Sequence, residues 1–143
     1  MKIAEILRAK GRAVATIHPE QTVASAVRDM KERAVGALVV TRDGNHLVGI
    51  VSERDIVRAL ADDTGVLGRR VAEIMTTKVV TCSPEESVTH AMALMTHRRH
   101  RHLPVMEGEE LAGIVSLGDL VKARLDELEL ESRILRDVFL ASH

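Results

Sequence analysis

The spacing of apolar residues changes several times along the chain, and each change marks an element. Val23, Ala26, Val27 and Met30 fall at i, i+3, i+4 and i+7, one face of a helix that Thr22 is suited to cap. Ahead of it, residues 14–17 form a short β-prone run closed by His18-Pro19, where proline favours extended geometry in the preceding residue. Behind it, the apolar runs Ala37–Thr41 and His46–Val51 flank Arg42-Asp-Gly-Asn45, which predicts a β-hairpin. Ser52 then opens a second helix over Asp55–Ala61. The predicted unit is strand–helix–strand–strand–helix, a three-stranded sheet with two covering helices.

The unit is then written again. Thr16, Pro19, Glu20, Val23, Ala26 and Met30 recur as Thr81, Pro84, Glu85, Val88, Ala91 and Met95, all at an offset of 65. Gly49-Ile-Val-Ser-Glu-Arg-Asp55 recurs as Gly113-Ile-Val-Ser-Leu-Gly-Asp119 after a one-residue shortening, and the lead-in Ile3-Ala-Glu-Ile-Leu7 is echoed by Val71-Ala-Glu-Ile-Met75. A duplicated unit carries two copies of any site, related by an approximate two-fold axis. The expected division is repeat one over 1–65, repeat two over 66–125 and a helical extension over 126–143. In the last helix Val121, Leu125, Leu128, Leu135 and Val138 keep helical spacing, and acids cluster over 126–131. That stripe either packs on another subunit or partner, or closes the second unit.

Units of about 60–65 residues are marginal alone, so the two copies are expected to share packing. The net charge is −1, from 20 basic and 21 acidic residues, which gives no field for nucleic acid or an anionic membrane. No apolar run approaches the roughly 18 residues that span a bilayer. Met1-Lys-Ile-Ala-Glu-Ile carries an acid, unlike a secretory signal, so a cytoplasmic protein without membrane association is expected. The single cysteine excludes an internal disulfide and a cysteine-built metal cage. Phe139 is the only aromatic besides histidine, so base-stacking platforms are missing and nucleic acid is disfavoured as a partner.

Ser52-x-x-Asp55 and Ser116-x-x-Asp119 fit two readings. Ser-x-x-acid before a helix is the capping-box pattern, and an Asp at a helix N-terminus can also accept hydrogen bonds from a vicinal diol. His97-Arg-Arg-His-Arg-His102 is the one dense basic run. It is either a solvated edge or a set of cations aimed into a cleft, with Arg101 and His102 alternating at the start of a strand. A zinc site at His97, His100 and His102 is discounted, because the spacing crosses a helix–strand junction and arginines flank it. Cys82 stands where Ile17 stands in the first copy and reads as a core thiol. Neither Gly-x-Gly-x-x-Gly nor a Walker loop is present, and no base, nucleophile and oxyanion donor converge, so an enzyme is not expected.

The duplicated Gly-Ile-Val-Ser-x-x-Asp motifs, Arg101-His-Leu-Pro-Val105 and the openings Ile17-His-Pro-Glu and Cys82-Ser-Pro-Glu resemble a tandem pair of cystathionine-β-synthase (CBS) domains, a Bateman module. The resemblance covers essentially residues 1–125. It implies an α/β (α+β) fold of two repeats packed sheet to sheet about a pseudo-two-fold axis. Each of two clefts would hold an adenosine-containing ligand: AMP, ADP, ATP, NAD or S-adenosylmethionine. Carried over by motif, the Asp119 cleft would use Arg12, Arg101, His102, Ile114 and Ser116, with Val35, Gly36 and Ala37 as an adenine wall. The Asp55 cleft would use Ile50, Ser52, Arg54, Thr77, Lys78 and His100. Gly118 leaves space where Arg54 places a cation, so unequal affinities are expected. The implied function is a non-catalytic regulatory module, a homodimer signalling to a separate effector protein. Its rivals are an interaction subunit with degenerate clefts and a nucleic-acid-binding regulator using residues 97–102.

Overall fold

The computed structural model describes residues 1–142. Helix α1 (Ile3–Lys10) precedes β1 (Thr16–Ile17), α2 (Val23–Arg33), β2 (Ala37–Thr41), β3 (Leu47–Ser52) and α3 (Glu53–Asp62). Two 3-10 turns, Val66–Gly68 and Val71–Glu73, lead to α4 (Val88–Arg98), β4 (His102–Glu107), β5 (Glu110–Ser116) and α5 (Leu117–Ala141). The cap expected at Thr22 forms, its Oγ1 accepting from the Ser25 amide at 3.1 Å, and Ser87, its counterpart in the second copy, accepts through Oγ from the His90 amide at 3.0 Å. On the face read as apolar, Val23, Ala26 and Met30 are buried, whereas Val27 is 39% exposed.

In the first sheet β1 lies parallel to β2, and β2 antiparallel to β3 with Val39 opposite Ile50. The second sheet departs from the expected three strands. It has β4 and β5, with Pro104 opposite Ile114, while the counterpart of β1 shrinks to one parallel bridge between Cys82 and Val105. The cause is local. The Val39 amide donates to the Ala15 carbonyl at 3.0 Å, and Pro104, at the matching position, has no N–H to donate.

Each repeat has its own aliphatic core, and each core is completed by the other repeat's lead-in. Ile3, Ile6 and Leu7 pack with Val88, Met95, Leu103, Val115 and Leu120 of the second repeat. Val71, Ile74 and Met75 pack with Val23, Leu38, Val40, Val51 and Ile56 of the first. Backbone bonds mirror the exchange: the Ala72 amide donates to the Pro19 carbonyl at 2.9 Å, and the Ala4 amide to the Pro84 carbonyl at 2.9 Å. The recurring glycines of Gly-Ile-Val-Ser are where the lead-ins press closest. A Cβ on Gly113 would lie 2.7 Å from Leu7 Cδ2, and one on Gly49 would lie 2.8 Å from the Thr76 carbonyl oxygen. Two units too small to bury a full core alone are thus locked together by crossing segments.

Candidate functional site

The turns from β3 into α3 and from β5 into α5 share one construction. Ser52 Oγ accepts from the Asp55 amide at 3.2 Å, and Asp55 Oδ2 accepts from the Ser52 amide at 2.9 Å. Ser116 and Asp119 repeat the pattern at 3.1 and 2.8 Å. Both Ser-x-x-Asp motifs are therefore capping boxes.

Beyond the cap the two carboxylates differ. Asp55 Oδ2 also accepts from the Ser52 hydroxyl at 3.0 Å, and Asp55 Oδ1 from the Thr76 hydroxyl at 3.1 Å; all its partners are neutral. Asp119 Oδ2 instead receives Lys10 Nζ at 2.7 Å, and the same ammonium donates to the Ile114 carbonyl at 3.0 Å. Burial pushes the Asp119 carboxyl up, but the Lys10 bond and the Ser116 amide outweigh it and hold the group below its ordinary value.

A cavity of about 590 Å³ opens at Asp55, within the usual size of a small-molecule site. Gly36, Ile50, Ser52, Asp55 and Thr76 line one side. Arg54 and Arg58 come from the first turns of α3, and residues 98–102 supply the opposite wall from the end of α4 into β4. Arg99, left-handed at φ 56°, ends α4, and its carbonyl accepts from Arg54 Nη1 at 3.4 Å, which ties the two walls. Arg54, Arg58, Arg98, Arg99 and Arg101 have no carboxylate within ion-pair distance among the described residues. Several arginines elsewhere are ion-paired: Arg12 with Glu107 at 3.4 Å, Arg69 with Asp63 at 2.6 Å and Arg70 with Glu20 at 2.9 Å. The cavity carries two acids, Glu53 and Asp55, so its field is strongly positive. His102 reaches across the repeats: a Cβ on Gly36 would lie 3.3 Å from its Cε1. Burial, and after it the Lys10 charge, lowers the His102 pKa, so the ring is neutral at neutral pH.

The residues assigned to two clefts are distributed differently by the fold. Ile50, Ser52, Arg54, Asp55 and His100 meet at the Asp55 cavity, and Gly36, Arg101 and His102, expected beside Asp119, line the same cavity. Thr77 and Lys78 are exposed and do not line it; Thr76, one residue earlier, does, because its backbone bridges Ile50 through bonds of 2.9 and 3.0 Å. Those bonds also occupy the backbone amide and carbonyl of Ile50. Val35 packs on the first core and Ala37 is buried in β2 opposite Ser52, so neither forms the expected wall. Arg12 turns to Glu107, Ile114 and Ser116 are engaged as described, and Gly118 lies in the first turn of α5. Cys82 is buried, and burial together with the Glu86 charge raises its thiol to about 12, as suits a core residue. Residues added by the structure are Lys10, Glu53, Arg58 and Thr76, while Arg98 and Arg99 belong to the basic run already read as cations aimed into a cleft. No group of three or more metal-ligating side chains occurs among the described residues, and none of their helices is long and apolar enough to cross a membrane.

The CBS domain family matches residues 4–62 and again 71–126. The chain belongs to the CBS-domain family. The mitochondrial CBS domain-containing protein CBSX3 of Arabidopsis thaliana is 38% identical over 138 residues, which cover 87% of this chain and 65% of that protein. The crystal structure of the CBS-domain containing protein ATU1752 from Agrobacterium tumefaciens superposes with a TM-score of 0.84 at 38% identity, covering 87% of this chain and 99% of that one. The CBS domain pair of the protein MJ0100, solved with 5′-methylthioadenosine and S-adenosyl-L-methionine, superposes with a TM-score of 0.79 at 24% identity, covering 89% and 98%. This chain is thus a tandem CBS pair, a module of the regulatory kind, with no catalytic domain among the described residues.

Proposed function

We propose that this CBS pair is a non-catalytic regulatory module that takes one adenosine phosphate per chain in the Asp55 cavity. The observation that carries the reading is the pairing of opposites across that cavity: a carboxylate with neutral partners only faces five uncompensated guanidiniums. A nucleotide offers both complements, a ribose diol for Asp55 and phosphate oxygens for the arginine forks. S-adenosylmethionine, held by the distant MJ0100 pair, carries a sulfonium cation that these arginines would repel. That relative shares the fold at 24% identity, so the ligand class rests here on the cavity itself. On the Asp119 side, Lys10 already takes the carboxylate and the neighbouring carbonyl, which leaves that side self-satisfied. The reading includes a homodimer and a separate effector chain. A signal arises where the ligand binds two arrangements of the pair with different affinity.

Isothermal titration with ATP, ADP, AMP, NAD and S-adenosylmethionine tests it. Affinity is expected to rise with phosphate number, to weaken with added salt, and to vanish for S-adenosylmethionine. Equal binding of S-adenosylmethionine and ATP would overturn the phosphate assignment. Silence towards every nucleotide, with a protein partner co-purifying, would favour an interaction subunit with degenerate clefts.

A further inference from the structure

Helix α5 runs for 25 residues, Leu117–Ala141, but buries Leu120 and Ala123 only. From Leu128 to Ala141 every residue is exposed. Fourteen residues at 1.5 Å each make an arm of about 21 Å, and a bare helix of that length is marginal in water. Its surface is apolar at Val121, Leu125, Leu128 and Leu135, exposed by 39, 60, 44 and 70%. Their spacing of four, three and seven is the seam of a two-helix coiled coil, with Ser132 at its one polar place.

Charge says what covers the seam. Arg124, Glu129, Glu131 and Arg136 flank it, and 126–131 is acidic whereas Arg133 and Arg136 follow. Inverting one copy against another sets Leu125 against Leu135, and Leu128 against Ser132. The same inversion sets Glu129 towards Arg136 and Arg124 towards Glu131, unlike charges in both pairs. In the single chain Glu131 and Arg136 have no ionic partner among the described residues, Glu129 makes an exposed intrahelical contact with Arg133 at 3.5 Å, and Arg124 one with the half-buried Glu127 at 3.8 Å.

We propose that the α5 arm is an interface with a second copy of this chain, the two arms pairing antiparallel through Leu125, Leu128 and Leu135. This goes beyond the homodimer reading by assigning its surface and orientation, and it does not depend on the nucleotide site.

Sedimentation equilibrium on the full chain tests it. The wild type is expected to be a dimer, and Leu128→Lys with Leu135→Lys to shift dissociation by about tenfold or more, while the melting of the body is unchanged. Glu129→Arg should weaken the dimer, and adding Arg136→Glu should restore it. A parallel pair would instead set Glu129 near Arg124 and Arg136 near Glu131, so the double reversal would weaken it further. A monomeric wild type would end both the arm pairing and the homodimer reading. A dimer indifferent to the leucine changes would end the arm pairing alone, and failure of the charge swap to rescue would overturn the antiparallel arrangement.

Discussion

The Asp55 and Asp119 sides of this molecule descend from the same motif and share the same capping box, yet their carboxylates have opposite company. Asp55 is bonded to Ser52 and Thr76 and faces a positive cavity, whereas Asp119 is closed by Lys10 at 2.7 Å. The difference comes from outside the motif. The lead-in to repeat one is a full helix, α1, whose last residue reaches Asp119; the lead-in to repeat two is a 3-10 turn followed by Thr76. Duplication thus preserves the cap, while the exchanged segments decide what each cap can do.

The strongest way to break the contrast is to remove the guanidiniums. Arg99→Ala combined with Arg101→Ala should weaken ATP binding by about a hundredfold or more, from charge-assisted hydrogen bonds of ~1.5–3 kcal/mol each, and titration calorimetry checks it. Next in size is the packing that positions both sides. Gly113→Ala should cost about 1–3 kcal/mol in chemical denaturation, because its Cβ would fall 2.7 Å from Leu7 Cδ2. Lys10→Met probes the asymmetry from the other side. It should raise the Asp119 pKa, since burial is then opposed by the Ser116 hydrogen bonds alone, and NMR titration of that carboxyl would report the rise. Sequence stability should shift in the matching direction: the Lys10 bond supports the fold above the ordinary carboxyl pKa and is lost as pH falls through the depressed folded value.

The smallest effect concerns His102. Its folded pKa lies below the ordinary histidine value, so the free ring is neutral at pH 7, and a bound phosphate favours the imidazolium. Binding should therefore take up protons, and affinity should fall several-fold from about pH 6 to pH 8. Calorimetry in buffers of different ionisation enthalpy measures the uptake, and Arg101→Ala should leave it in place.

Much of the scaffold is legible in the chain. The 65-residue echo, the caps at Thr22, Ser87, Ser52 and Ser116, and the hairpins all follow from local rules that the fold obeys. What is not legible is which core a lead-in joins. Apolar periodicity says that Ile3, Ile6 and Leu7 are buried and says nothing of the partner, so their packing on repeat two is a tertiary fact. Lys10 is missed for that reason. The signal existed: Lys10 follows Leu7 by three residues as Lys78 follows Met75, but only Lys78 was placed at a cleft. Thr77 stands in for Thr76 because the bridge to Ile50 fixes which threonine faces Asp55. The shortened strand at Cys82 was readable from Pro104, whose missing N–H removes one ladder bond.

The most direct measurement is the stoichiometry of ATP binding to the intact chain and to two charge-removing variants. One ATP per chain is expected, lost with Asp55→Asn and retained with Asp119→Asn. Two per chain, or loss with Asp119→Asn while Asp55→Asn binds as before, would contradict the assignment of the site.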